Sequence, residues 1–202
     1  MLLVTVAACG DDSAEAPTVG FEPAPLVWEA CGDQECATLV VPMDHADSSG
    51  PTIEIAVARI PAAVEPRIGV LVLNPGGPGG SGIELLEWMG PYLTHPELLG
   101  RFDLVGFDPR GVGGSTSVSC VDDFDDEITV LGPDDGLELV VAEAEEFVAG
   151  CMERSGDLAH HVGTNAVARD VDLMRRAMGE ERISYLGYSY GTRLGAVYAA
   201  LF

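Results

Sequence analysis

The chain has 202 residues, 47% of them apolar, and a formal net charge of −23. This length suits one medium domain or a large part of a bigger one, and the apolar share is enough to bury a core. The acidic balance argues against nucleic-acid binding, which needs a basic stripe to neutralise phosphates. It implies a self-repelling, soluble surface and a field that would draw a cationic substrate group.

Residues 1–27 read as a signal remnant and linker, and residues 28–202 as a single folded unit. The opening "MLLVTVAACG" resembles the tail of a bacterial lipoprotein signal, with Val6-Ala7-Ala8 as the small-residue box and Cys9 as the lipid-bearing cysteine. No Lys or Arg precedes the apolar stretch, which is also shorter than an ordinary signal core. Either translation starts further upstream or the box is fortuitous. No other run approaches the ~20 apolar residues of a membrane span. The expectation is an exported protein, lipid-anchored at most.

Four cysteines remain after Cys9, and four allow three connectivities. An exported chain permits pairing; the favoured pairs are Cys31–Cys36, a short loop, and Cys120–Cys151, closing a long excursion. Metal binding is not expected, because no C-x-x-C or paired His/Cys spacing occurs.

"CATLVVPMD" and "PTIEIAVARIP" read as two antiparallel strands around a turn at Asp47–Pro51. The second alternates Ile53, Ile55, Val57 against Glu54, Ala56, Ala58, as a half-exposed strand does. "RIGVLVLNP", "RFDLVGFDP" and "RISYLGY" are continuous apolar runs ending at turns, the pattern of parallel strands buried on both faces. An acidic-apolar helix is predicted from about Gly136 to Arg154. Another runs from Thr164 to Met178, with Val167, Val171, Met174 and Met178 at helical spacing and Gly179 closing it. The acidic run from Val121 to Asp135 reads as a solvated loop. The order gives an α/β sheet with right-handed crossovers.

Three of these strands end in special turns: Asn74–Gly82, Asp108–Ser115, and Gly187-Tyr188-Ser189-Tyr190-Gly191. Ligand sites of open α/β sheets lie outside the carboxyl ends of the strands, so all three should face one crevice. Within the first turn, Gly77, Gly79 and Gly82 satisfy G-x-G-x-x-G, the dinucleotide pattern. A nicotinamide or flavin oxidoreductase is therefore a rival reading. Against it, two strands precede the turn, and Pro78 removes an N–H that could hold phosphate. No cofactor is expected.

The last turn spells G-x-S-x-G between a strand and a helix, the way a serine nucleophile is displayed on a strained turn. Such a serine needs a general base and an orienting acid. None of the thirteen residues after Ser189 is His, Asp or Glu. His45, His95, His160 and His161 all precede it, and each reads as a surface or loop histidine.

Taken together and in order, "NPGGPGGSG", "FDPRGVGGS" and "YLGYSYGTRLG" resemble α/β-hydrolases of the proline iminopeptidase group, in particular secreted tripeptidyl-aminopeptidase-like lipoproteins. The resemblance covers about residues 28–202; Asn74 stands where the group usually has His. It implies the first five strands of an eight-stranded α/β-hydrolase fold, mostly parallel with an antiparallel N-terminal pair. It implies Ser189 as nucleophile, with the N–H groups of Tyr190 and of Gly77 or Gly76, most of all Gly77, as oxyanion hole. Asp108 and Arg110 would hold the second turn in place. The expected activity is release of short peptides or residues from a free N-terminus, the substrate being a peptide or a small ester or amide. In these folds the acid and histidine follow the serine. The chain thus reads as an N-terminal half, inactive alone, with an open sheet edge and a separate C-terminal half as partner. An esterase and a catalytically dead binding lipoprotein are the other readings.

Overall fold

The computed structural model describes residues 20–93, 100–122 and 136–202. Cys9 and His95 lie outside them, as does all of the acidic run beyond Asp122.

The sheet has six strands: β1 (Glu29–Cys31), β2 (Gln34–Pro42), β3 (Thr52–Ile60), β4 (Gly69–Asn74), β5 (Phe102–Phe107) and β6 (Ser184–Gly187). Their spatial order is β1-β2-β3-β5-β4-β6. The five expected strands are present, and the short β1 extends the antiparallel end through the Cys31–Cys36 hairpin. β4 runs parallel to both β5 and β6, while β3 meets β5 antiparallel. The sheet is therefore mixed.

The described residues form four helices, α1 (Gly82–Leu93), α2 (Leu137–Ser155), α3 (Thr164–Ala177) and α4 (Tyr190–Leu201), with a 3-10 turn at Gly156–His161; α1 covers one face of the sheet, and α3 and α4 the other. The two-residue period of β4 decides what each face buries. Val70 and Val72 join Val105, Phe107, Ile53 and Ile55 under α3 and α4. Leu71 and Leu73 join Leu104 and Leu86 under α1. A continuous apolar strand is needed because both faces are covered. β3 alternates at its start, with Glu54 exposed and Ile53, Ile55 and Val57 buried, but Ala58, expected on the exposed side, is fully buried in the cluster under α1.

α1 starts with a Ser-x-x-Glu box: the Glu84 N–H donates to Ser81 Oγ at 3.0 Å, satisfying a donor that the first turn leaves without a partner. α3 ends where Gly179 takes φ 74°, the left-handed closure that a glycine makes without strain. α2 is a different object. Most of its length is exposed, including Leu137 at 77% and Val148 at 59%. It is tied to the body at its C-terminal end by the Cys120–Cys151 disulfide. Gly150 permits the contact, since a Cβ there would lie 2.2 Å from the Cys120 carbonyl oxygen.

Candidate active site

Ser189 sits between the end of β6 and the first residue of α4 with φ 50° and ψ −124°. Among the described residues it is the one non-glycine with positive φ. Such a conformation costs of order 1–3 kcal/mol and persists only where its surroundings impose it. Those surroundings come from the first turn. The Tyr188 N–H donates to the Asn74 carbonyl at 3.0 Å. A Cβ on Gly191 would lie 2.7 Å from both Asn74 oxygens, and one on Gly76 would lie 2.5 Å from the Tyr188 carbonyl oxygen. Two glycines thus let two backbones touch where any side chain would hold them apart.

The same contact brings Gly76 against the amide of Tyr190, 2.9 Å from where a Cβ would stand. The Gly76 N–H is spent on Asn74 Oδ1 at 3.0 Å. Among the described residues, neither the Gly77 N–H nor the Tyr190 N–H meets an acceptor. Of the two glycines named for the oxyanion hole, Gly77 is therefore the one with a donor to give.

The second turn is pinned twice. The Asp108 N–H donates to the Ala56 carbonyl on β3, and Ser115 Oγ donates to the Asp108 carbonyl at 2.6 Å. The Asp108 carboxylate accepts from Ser81 Oγ at 2.5 Å, from the Gly114 N–H at 2.9 Å and from the Ile83 N–H at 3.4 Å. It occupies the N-terminus of α1, the place where a dinucleotide would set its pyrophosphate. A carboxylate there repels phosphate, which weighs against the oxidoreductase reading. No group of side chains among the described residues could hold a metal ion.

Arg110 is buried and fully satisfied. Its Nε and Nη2 donate to the two Asp170 oxygens at 2.7 and 2.6 Å, and its Nη1 to the carbonyls of Met43 and His161 at 2.7 and 2.9 Å. Nη2 also reaches the Pro42 carbonyl at 3.1 Å. Nη2 lies as close to His45 Nε2, at 3.0 Å, so its two protons face three partners. His45 Nε2 is thus held between Asp170 Oδ1 at 2.9 Å and Arg110 Nη2, and its buried Nδ1 has no partner among the described residues.

His45 does lie in a loop, just after β2, but it is not a surface histidine. Its side chain is 7% exposed and belongs to the network that holds the second turn. Asp170 was missed, though a signal existed: it lies three residues after Val167 and four before Met174, on the buried stripe of α3. An acid in an apolar stripe calls for a cation.

The three turns do converge. Asn74 and Gly76, then Pro109 to Val112, then Tyr190 line one crevice of about 280 Å³. Tyr190 Oη is held by Thr164 Oγ1 at 2.5 Å. Beneath the elbow, Tyr185 Oη donates to the Gly191 carbonyl at 3.1 Å. Burial, reinforced by neighbouring Tyr190, pushes the Tyr185 phenol well above its ordinary value.

Residues 69–202 match the sequence profile of the alpha/beta hydrolase fold. The chain belongs to that family. Over 196 residues it is 40% identical to serine protease Hip1 of Mycobacterium tuberculosis, covering 88% of this chain and 37% of that protein. It is 40% identical over 190 residues to the tripeptidyl aminopeptidase of Streptomyces lividans, covering 87% and 35%. It is 38% identical over 189 residues to carboxylesterase B of Mycobacterium tuberculosis, covering 82% and 36%. The chain spans little more than a third of each of these relatives. In this α/β-hydrolase, both expected cysteine pairs are formed, Cys31–Cys36 with Cα atoms 5.8 Å apart and Cys120–Cys151 at 3.7 Å.

Proposed function

We propose that this chain carries the nucleophile half of a serine peptidase that removes short peptides or residues from a free N-terminus. One observation carries the reading: Ser189 is held at φ 50° on a strand–turn–helix whose first-turn partner presses against the Tyr190 amide. Relatives that are a serine protease and an aminopeptidase support it.

In this reading Ser189 Oγ attacks the substrate carbonyl as its proton leaves to a general base. The C–O bond forms, the carbonyl oxygen becomes an oxyanion, and the N–H groups of Gly77 and Tyr190 receive that charge. A donor of this kind contributes about 3 kcal/mol, because the charge exists only once attack has begun. Collapse expels the amine and leaves an acyl-enzyme, which water then hydrolyses. That general base is not His45, whose ring is held in the Arg110–Asp170 network. An esterase is the second reading, favoured by the carboxylesterase relative.

Export is part of the proposal, with Cys9 as lipid anchor; the two disulfides support it, since they persist in oxidising compartments. The test is labelling by a fluorophosphonate probe and turnover of aminoacyl and tripeptidyl chromogenic amides. Each is measured on the chain alone and with the C-terminal portion of a relative. Labelling of Ser189 and turnover only on complementation are expected. Turnover by the chain alone that survives Ser189→Ala would overturn the assignment.

A further inference from the structure

We infer that α2 is a docking surface, and that its occupant is a cationic amphipathic helix of another polypeptide. The inference lies apart from the crevice and does not depend on the role of Ser189.

The sequence of α2 places Leu137, Val140, Val141, Ala144, Phe147 and Val148 at the spacing that puts residues on one side of a helix. In a surface helix such a stripe faces the core. Here all of these residues are exposed, and Gly150 is the one buried residue of the helix. The stripe runs about 17 Å, or three turns. A helix that buries so little of its stripe is marginal by itself, and α2 is held instead at its C-terminal end. Cys151 is bridged to Cys120, Ser155 Oγ donates to the Ser119 carbonyl at 2.8 Å, and Arg154 pairs with Asp122. That end is fixed, and the stripe is presented on a firm base. Contiguous exposed apolar surface rimmed by polar groups marks an interaction site.

The rim decides what fits. Glu138 and Glu145, one heptad apart, run along one side of the stripe and Glu143 along the other, with Glu146 and Glu153 behind. The one base of the helix, Arg154, is already paired. A second copy would set glutamates against glutamates, between chains that each carry −23, and like charges facing one another across a seam are destabilising. An anionic bilayer is repelled in the same way; helices that lie in such surfaces are basic on their polar face. A helix with an apolar stripe between Lys or Arg flanks answers each rim glutamate with an opposite charge, the arrangement that sets partner choice at the flanks of coiled coils. So short a stripe makes a weak, exchanging contact rather than a permanent one.

The experiment uses the full chain with both disulfides intact and labelled leucine and valine methyls, observed by NMR. The probes are synthetic helical peptides of about 18 residues, or five turns, with leucine along one stripe and either lysine or glutamate along its flanks. The lysine peptide should shift Leu137, Val140, Val141 and Val148 and bind at least roughly tenfold tighter than the glutamate peptide, the gap narrowing as salt rises. A lysine peptide with serine in place of leucine should leave these methyls unmoved. Glu138→Lys with Glu145→Lys should turn the preference toward the glutamate peptide, a gain that misfolding cannot produce. Equal binding of the peptides, absence of binding, shifts mapped elsewhere, or an unaltered preference in the double variant would each overturn the inference. So would another occupant of the stripe: self-association of the chain that shifts the same methyls, their broadening by phosphatidylglycerol vesicles, or their cover by the C-terminal portion of a relative with the lysine peptide shut out.

Discussion

Arg110 and Asp170, sixty residues apart, meet side-on through two hydrogen bonds of 2.7 and 2.6 Å, with neither side chain reaching solvent. The pair fastens the turn after β5 to α3 and so sets one wall of the crevice. Burying two charges is costly, and their attraction offsets that cost only while both are present. Asp170→Asn should therefore destabilise by about 3–5 kcal/mol, since it leaves a guanidinium buried beside a neutral amide. Urea unfolding checks the value. The double change Arg110→Met with Asp170→Leu should recover much of the loss, because it removes both charges.

Gly76→Ala tests the contact between the first turn and the elbow. The new methyl carbon would meet the Tyr188 carbonyl oxygen at 2.5 Å, and Gly76 sits at φ 93°. Backbone must move, at a strain of order 1–3 kcal/mol. Because that movement separates the Gly77 and Tyr190 donors, fluorophosphonate labelling in the complemented enzyme should fall roughly 100-fold or more. A labelling rate within a few-fold of wild type would show that the two turns are not coupled.

Tyr185 gives a pH signature. Its folded-state pKa is raised above the ordinary 10.0, first by burial and then by Tyr190. A group that holds its proton harder when folded stabilises fully below its unfolded pKa and loses that contribution as pH rises through the folded value. Stability should accordingly decline above about pH 10, and Tyr185→Phe should flatten part of the decline. At neutral pH the same change should cost about 1 kcal/mol, for the hydrogen bond to the Gly191 carbonyl. Thermal melts across the alkaline range separate the two effects.

The strands and the elbow were legible because each is a local statement. Val70 to Leu73 can satisfy a two-sided burial only as a strand, and Gly187 to Gly191 carries its turn chemistry within five residues. The crevice followed from strand polarity alone. The holding network did not. His45, Arg110 and Asp170 lie on three different elements, and nothing around His45 in sequence says that its ring is buried. β1 was missed for another reason: three residues carry too little periodicity, and it is paired with β2 by the hairpin that Cys31–Cys36 closes.

Replacing Cys120 and Cys151 by serine should release α2. The bridge spans 31 residues, for which the chain-entropy account gives a stabilisation of about 3–4 kcal/mol. Most of α2 is exposed, so few apolar contacts would hold it once the bridge is gone. Limited proteolysis should cut within Leu137–Ser155 well before the sheet is attacked. A wild-type-like digestion pattern would mean that α2 is held by packing instead.

Ser189 offers the sharpest energetic test, because the elbow is held against its own preference. At an ordinary position Gly is less stable than Ala by about 0.5–1 kcal/mol, from the extra entropy of its unfolded state. At φ 50° and ψ −124° the order should invert. Ser189→Ala keeps a Cβ in the disfavoured region and so keeps the strain, leaving stability close to wild type. Ser189→Gly removes the Cβ and relieves roughly 1–3 kcal/mol of strain, which exceeds the entropic loss. The glycine variant should therefore be the more stable of the two by up to about 2 kcal/mol, while both lose fluorophosphonate labelling. Chemical denaturation of the pair at one pH, side by side, reads the difference directly. An alanine variant more stable than the glycine variant would show that the turn is not strained, and that display of Ser189 costs the fold nothing.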